Sequence, residues 1–209
     1  SNPVIVLECI KKNPSRWIKE IAEIRQQQKH FSEIEIAWEL IRRLALLAMP
    51  VLRSVYEQSR GRNGRVTIQV NPVYFTNAEK MIEHALEISQ WGENIAIKIP
   101  AVEAGFLAME ELTARGLCIL STVQYTLPQT LATAEAFERG YKRAQKSGID
   151  ITRMNSWAGI MVGRLDDHLR DEQKKHNIPV NTEDIHYASL AVFKKVAKIF
   201  QENRYHSKP

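Results

Sequence analysis

Lys98 lies between Ile97 and Ile99 in the run Asn94-Ile95-Ala96-Ile97-Lys98-Ile99-Pro100, an apolar strand pattern that leads into a helix pattern beginning at Ala101. An ammonium group is strongly hydrated, so a lysine in such a strand either points at water or is used. The use open to it is covalent. A neutral amine attacks a carbonyl carbon and forms an iminium, provided desolvation lowers its pKa from the free value of about 10.4. Gln69 and Asn71 hold comparable places near the end of Val66-Thr67-Ile68-Gln69-Val70-Asn71. Metal chemistry lacks such a footing: no His-x-x-x-His or Cys-x-x-Cys pair occurs, and no glycine-rich phosphate loop follows a strand. Neither a metal nor a cofactor is expected.

The elements that must position these residues follow from hydrophobic period. Apolar positions recur at helical spacing over 14–28 and 32–57, the second with Ile34, Ala37, Leu40, Ile41, Leu44 and Ala48 on one face, and Pro50 is expected to kink or end it. From about residue 65 the rhythm becomes strand 65–71, helix 77–91, strand 94–99, helix 101–115, strand 117–123 and helix 128–147. A strand near 157–163 and helices near 165–176 and 182–203 continue it. Thr76-Asn77-Ala78-Glu79 has the form of a capping box, and Gly92, Gly116 and Gly148 fall where helices should stop. Strands alternating with helices imply a parallel sheet.

The strands then discriminate between an open doubly wound sheet and a barrel. Central strands of a doubly wound sheet are covered on both faces and read as continuous apolar runs. Here the aliphatics alternate with Thr67, Gln69, Asn71, Ala96 and Lys98, which places that second set together on one face. A polar interior face suits a barrel mouth, where chemistry collects at the C-terminal ends of strands. An antiparallel sheet with one wet face also alternates, and in it Lys98 would be a solubilising residue; the helices between strands argue against it.

With 209 residues, 44% hydrophobic and 25% charged, the chain suits a single domain over 1–209 rather than a disordered segment. The net charge of +5 is spread out, and its densest stretch, Arg60-Gly61-Arg62-Asn63-Gly64-Arg65, reads as a glycine-punctuated turn. A nucleic-acid partner is not expected; a phosphorylated small molecule suits this charge better. No apolar run reaches the roughly 18 residues of a membrane span, so no membrane partner is expected. Cys9 and Cys118, unpaired in spacing, fit reduced thiols and a cytoplasmic location.

Ile97-Lys98-Ile99-Pro100-Ala101 with Gly105 resembles the lysine motif of the transaldolase family, Schiff-base aldolases built on the (β/α)8 TIM barrel. Other segments are similar in the same order. Ser1-Asn2-Pro3 resembles the threonine-asparagine-proline after the family's second strand, Gly64 to Asn71 its third strand, and Gly116 to Gln129 its fifth strand and following helix start. Met161-Val162-Gly163-Arg164 resembles its phenylalanine-valine-glycine-arginine at the sixth strand, while 4–63 match loosely. The resemblance implies a (β/α)8 barrel that is incomplete in this chain, with the first and the last two strands missing. Strands seven and eight would follow Arg204-Tyr205-His206. An open remnant exposes sheet edges, so the segment is expected to belong to a longer parent or to pair with another chain, a homo-oligomer included.

For function the resemblance implies transfer of a dihydroxyacetone unit between sugar phosphates in the pentose phosphate pathway. Lys98 would form the Schiff base, Thr122 would hold a catalytic water, Arg164 would bind the substrate phosphate, and Asn2 would hydrogen-bond the sugar, with Asn71 also on the substrate side. Bland readings stand beside these: Thr122 as a strand filler, Arg164 in a surface ion pair with Asp166 or Asp167. Gln69 stands where transaldolases carry a glutamate; it orients water but takes no proton. Leu120 replaces an asparagine. Both changes resemble the fructose-6-phosphate aldolase branch, yet that branch's sixth-strand tyrosine is Met161 here, and Gly159 replaces a serine or alanine. A lyase of that branch, or a catalytically impaired sugar-phosphate-binding homologue, are the alternatives.

Overall fold

Val66–Gln69 (β1), Ile95–Pro100 (β2), Ile119–Gln124 (β3) and Trp157–Ile160 (β4) form one parallel sheet in chain order, in a computed structural model that describes residues 2–209. Each crossover carries a helix: Ala78–Ser89 (α4), Glu103–Ala114 (α5) and Leu127–Lys146 (α6). The earlier helices are Pro3–Lys12 (α1), Pro14–Gln27 (α2) and Glu33–Gln58 (α3), and the later ones Val162–His176 (α7) and Thr182–Glu202 (α8). Parallel strands whose order never reverses, with crossovers of the one favoured hand, put the connecting helices on one face and leave the other without them. The sheet is therefore an arc of a barrel wall, parallel as expected, and among the described residues it does not close.

Alternation along the strands sets the two faces. Ile68, Val70, Ile95, Ile97, Ile99 and Ile119 are buried against Met81, Ala85 and Ile88 of α4, Met109 and Leu112 of α5 and Phe137 of α6. Each such side chain contributes about 1.5–3 kcal/mol by leaving water. The opposite set, with Thr67, Gln69, Lys98 and Leu120, is half-buried. Caps fix the helix starts: Ser32 with Glu35 and Thr126 with Gln129 form capping boxes, while α4 is capped by Asn77, which accepts from the Lys80 N–H at 2.9 Å. The box expected from Thr76 and Glu79 does not form; a single Asn77 cap one residue later takes its place, with Lys80 at N3.

Several expectations need correction. Pro50 neither ends nor bounds α3, which continues to Gln58. Its missing N–H orphans the carbonyl of Leu46, a residue 37% exposed, where water can satisfy it, while Ile41, Ala45, Met49 and Tyr56 stay buried through the proline turn. The apolar face is also rotated from the one expected. Ile34 is 66% exposed, and the buried stripe runs through Ile36 and Leu40 against Trp17 and Ile24, then through Ile41, Ala45 and Met49 against the sheet. α3 has apolar residues on nearly every side, so period alone does not choose the face. Residues 3–12, assigned no element by their pattern, form α1, with Asn2 as N-cap and Pro3 in the first turn.

At the other edge of the sheet β4 stops at Ile160, and α7 begins at Val162, earlier than expected. The Met161 N–H still reaches the Gln124 carbonyl at 2.8 Å, but the next ones turn inward on α7, with Arg164 N–H on the Met161 carbonyl at 3.1 Å. Beyond α8 the chain returns to this edge. Ala158 N–H bonds the Lys208 carbonyl at 2.7 Å, and Lys208 N–H bonds Ser156 at 2.9 Å, a parallel bridge where a further strand was expected after His206. Glu138 of α6 pins that return by accepting from the His206 N–H at 2.6 Å. Asp166, buried, ties α7 to α8 through His186 at 3.0 Å and Ser189.

Candidate active site

Lys98 sits next to the C-terminal end of β2, directly opposite Gln69 on β1 and Leu120 on β3. Two residues further along, Pro100 faces Thr122, which puts Thr122 on the same face as Lys98 and one rung toward the mouth. The three residues expected to act on the reacting carbon thus come together on adjacent strands. Burial lowers the Lys98 pKa, and no charged neighbour contributes to the shift. Among the described residues its ammonium has no hydrogen-bond or ion-pair partner. A half-buried lysine without an anion gives up its proton more readily than a free one, and the neutral amine is the nucleophilic form.

The backbone after Lys98 is shaped by a glycine. A Cβ on Gly105 would lie 1.9 Å from the Pro100 carbonyl oxygen, so only glycine lets the first turn of α5 pack on the end of β2. Gly159 plays the same part between β3 and β4, where a Cβ would meet the Ser121 carbonyl oxygen at 2.5 Å. That contact accounts for glycine where the aldolase branch has serine or alanine.

Thr122 is buried, and its hydroxyl donates to the Met161 sulfur at 3.6 Å. Next to it the chain is strained. Val123, β-branched, has φ 57°, in the left-handed region where a non-glycine residue costs about 1–2 kcal/mol. The β3–β4 register shifts between Ser121 and Gln124 at this point. The distortion turns Gln124 into the space under α6, where it is fully buried: it accepts from Ser121 Oγ at 2.7 Å and Thr133 Oγ at 2.8 Å and donates to Thr130 Oγ at 3.0 Å. The Thr122 carbonyl meanwhile accepts from Ala101 N–H at 2.7 Å, which ties the end of β3 to the start of the loop after Lys98. Sequence reasoning missed Val123 and Gln124 as positioning residues. Nothing in valine signals a positive φ, and the one available hint is the polar run Ser121-Thr122-Val123-Gln124 inside an otherwise apolar strand.

The remaining candidates are more scattered. Arg164 lies in the first turn of α7, just past the end of β4, and pairs with Asp167 at 3.2 Å on the surface. It stands at the C-terminal end of a strand, and its observed partner is the one the bland reading named. Asn2 spends its amide oxygen on the Ile5 N–H at 2.9 Å, but it borders Gln69 across a cavity of about 10 Å3, room for one water at most. Ser1 lies outside the described residues. Asn71 does not join Gln69 on the inner face: it follows the end of β1, its amide oxygen accepts from Val73 N–H at 3.1 Å, and it borders a cleft beside Trp38, Tyr74 and His84. The strand ends at Gln69 because Pro72 opens a 3-10 turn, and so the period-two alternation no longer governs Asn71.

No helix among the described residues is long and apolar enough to cross a membrane, and no group of three or more His, Cys, Asp or Glu residues is placed to hold a metal ion. A family model described as transaldolase/fructose-6-phosphate aldolase matches residues 1–208. Relatives include a "Transaldolase 1" of Streptomyces avermitilis, 34% identical over 124 residues that make up 58% of this chain and 33% of that protein. A "Transaldolase" of Mycolicibacterium paratuberculosis is 31% identical over 61% of this chain and 35% of its own, and a "Transaldolase 2" of Nostoc punctiforme is 35% identical over 57% and 32%. The matched stretch thus spans about a third of the length of these curated relatives. With the match running through β1 to β4 and the lysine, the chain belongs to the transaldolase/fructose-6-phosphate aldolase family.

Proposed function

We propose that this chain carries the Schiff-base machinery of an enzyme that moves a dihydroxyacetone unit between sugar phosphates, with Lys98 as nucleophile. The observation that carries this reading is the desolvated, unpaired lysine beside the end of β2, flanked by Gln69 and Thr122. The neutral Lys98 amine attacks the ketone carbon of a ketose phosphate; the carbon–nitrogen bond forms, and loss of water leaves an iminium. Cleavage of the bond between the third and fourth carbons sends its electron pair into the iminium. An enamine of three carbons stays on Lys98, the fourth carbon becomes the aldehyde of the departing sugar phosphate, and its hydroxyl proton passes to water. The enamine then attacks the aldehyde of an acceptor sugar, and hydrolysis of the new iminium returns the free amine.

Thr122 and Gln69 act in this reading by holding water, since a hydroxyl both donates and accepts and an amide can orient a water but cannot take its proton. Arg164 presents its guanidinium fork to the phosphate in place of Asp167, and the Asn2 amide N–H, on the residue that borders Gln69, serves the sugar. A pentose phosphate role and a cytoplasmic location accompany the reading. The test is borohydride reduction in the presence of fructose 6-phosphate, followed by peptide mapping. A stable adduct on Lys98 is expected, and its absence from protein that binds the sugar sinks the proposal.

A second reading has its own observation. Thr122 points at the Met161 thioether, a group that cannot shuttle protons. A sugar-phosphate-binding homologue with slow or no turnover fits this contact, and so does a lyase that releases its enamine to water. Single-turnover trapping without steady-state turnover would favour the impaired form, and release of dihydroxyacetone without an acceptor would favour the lyase.

A further inference from the structure

A cavity of about 690 Å3 opens at the end of the sheet opposite Lys98. Its walls come from segments that precede strands: the α3–β1 connection with Arg60 and Arg62, Glu93 before β2, and the turn Ile151–Arg153 before β4. In barrels of this kind the N-terminal face serves stability and the chemistry sits at the other end. The carboxylates around this cavity are committed. Glu57 and Glu93 both hold Arg53, at 2.7 and 2.9 Å, and Asp150 accepts from Thr152 N–H and Oγ at 3.0 and 2.6 Å. Arg60, Arg62 and Arg153 have no ion-pair partner among the described residues. The Thr152 hydrogen bonds hold the Asp150 carboxyl below its usual range, and Arg153 adds a smaller pull through space without reaching ion-pair distance.

The loop that presents two of these arginines is built rigidly. Arg60 at φ 53° and Gly61 at φ 83° both take left-handed backbone, Ser59 Oγ accepts from Asn63 N–H at 2.9 Å, and Asn155 holds the Arg62 carbonyl at 3.3 Å. Gly64, at φ 72°, packs so closely on α3 that a Cβ would lie 2.4 Å from the Tyr56 nitrogen. Arg65 fastens the loop to the sheet through the Glu93 and Ile95 carbonyls at 3.2 and 3.0 Å. The left-handed Arg60 ends α3 as a Schellman cap, with Arg60 N–H on the Glu57 carbonyl at 3.0 Å and Gly61 N–H on the Tyr56 carbonyl at 2.8 Å, which fixes where the arginines leave the helix.

We infer that this cavity binds a small anion with two phosphoryl groups, one held by Arg60 and Arg62 and the other by Arg153 across the cavity. Guanidinium forks match phosphoryl oxygens, and the volume falls within the roughly 300–1,000 Å3 of small-molecule pockets. A nucleic-acid strand is the poorer occupant. It wants aromatic rings free for stacking along an extended groove, whereas the Tyr56 ring is already covered by Arg53 and Arg65 at 5.6 and 5.1 Å.

The experiment is isothermal titration with pyrophosphate at constant ionic strength. It compares the wild-type protein, the double variant Arg62→Ala/Arg153→Ala, and Arg164→Ala. One saturable site is expected in the wild type and in Arg164→Ala, with affinity about 10-fold or more weaker in the double variant. Both replaced side chains are exposed and unpaired, so the double variant keeps its fold, which circular dichroism checks. Absence of saturable binding in the wild type overturns the inference. So does loss of binding in Arg164→Ala with the double variant unaffected, since the pyrophosphate would then occupy the substrate end. Displacement of pyrophosphate by single-stranded oligonucleotides with affinity that grows with length overturns it in favour of a nucleic-acid surface.

Discussion

The Thr122 hydroxyl donates to the Met161 sulfur at 3.6 Å, one rung beyond the position of Lys98. On the Schiff-base reading proposed above, a proton that leaves the substrate finds a thioether, where the resemblance to the aldolase branch implies a phenol. General acid–base groups contribute about 10²–10⁴ in rate when well placed. Met161→Tyr is expected to raise the steady-state aldol rate by about 100-fold, the lower end of that range, with Lys98 trapping unchanged. Kinetics with fructose 6-phosphate and an acceptor aldehyde check this. An unchanged rate would mean that another group already moves the proton.

Lys98 predicts a pH dependence of stability whose sign follows from its lowered pKa. Below the native pKa both states hold the proton, and the partly desolvated charge opposes folding. Between the native pKa and the free value of about 10.4 the unfolded chain binds the proton and the native chain does not, so stability rises with pH across that window. Lys98→Met lacks the penalty. Its melting temperature is expected to exceed that of the wild type near pH 7, with the gap closing as pH approaches about 10. A gap that is absent or independent of pH would describe a fully hydrated lysine.

Arg164 and Asp167 form an exposed pair, 69% and 54% accessible at their side chains, and such pairs contribute about 0–1 kcal/mol. Arg164→Ala should therefore leave the melting temperature nearly unchanged. Its expected effect is on substrate: KM for fructose 6-phosphate rises about 10-fold or more through loss of charge-assisted hydrogen bonds, while KM for unphosphorylated fructose does not move. Equal effects on both sugars would remove the phosphate role and leave the surface pair.

The part of this site legible in the sequence was the part governed by period. Ile95, Ile97 and Ile99 alternate with Ala96 and Lys98, and side chains on a strand alternate faces, so the meeting of Gln69 with Lys98 followed once the strands were parallel. Asn71 was misplaced because Pro72 ends the strand before the alternation reaches it. The course of α3 through Pro50 was illegible for a different reason. Tertiary burial of Met49 and Tyr56 outweighs one lost hydrogen bond, and no local pattern reports that balance. Val123 is the extreme case: its backbone is set by what Gln124 must reach, three hydroxyls contributed by β3 and α6.

That dependence gives the last prediction. Gln124 is fully buried and satisfies Ser121, Thr130 and Thr133, so Gln124→Ala leaves buried hydroxyls short of partners and opens a cavity under α6. The expected cost is about 3 kcal/mol in denaturant unfolding. Val123→Gly acts on the same bulge with the opposite sign, because glycine takes a φ of 57° without penalty. It is expected to be neutral or to stabilise by up to about 1 kcal/mol. If the strain at Val123 positions Thr122, Val123→Gly slows turnover while stability holds or rises, and Lys98 trapping persists. Parallel losses of stability and turnover in Val123→Gly would mean instead that valine packs favourably here and that its conformation has no bearing on Thr122.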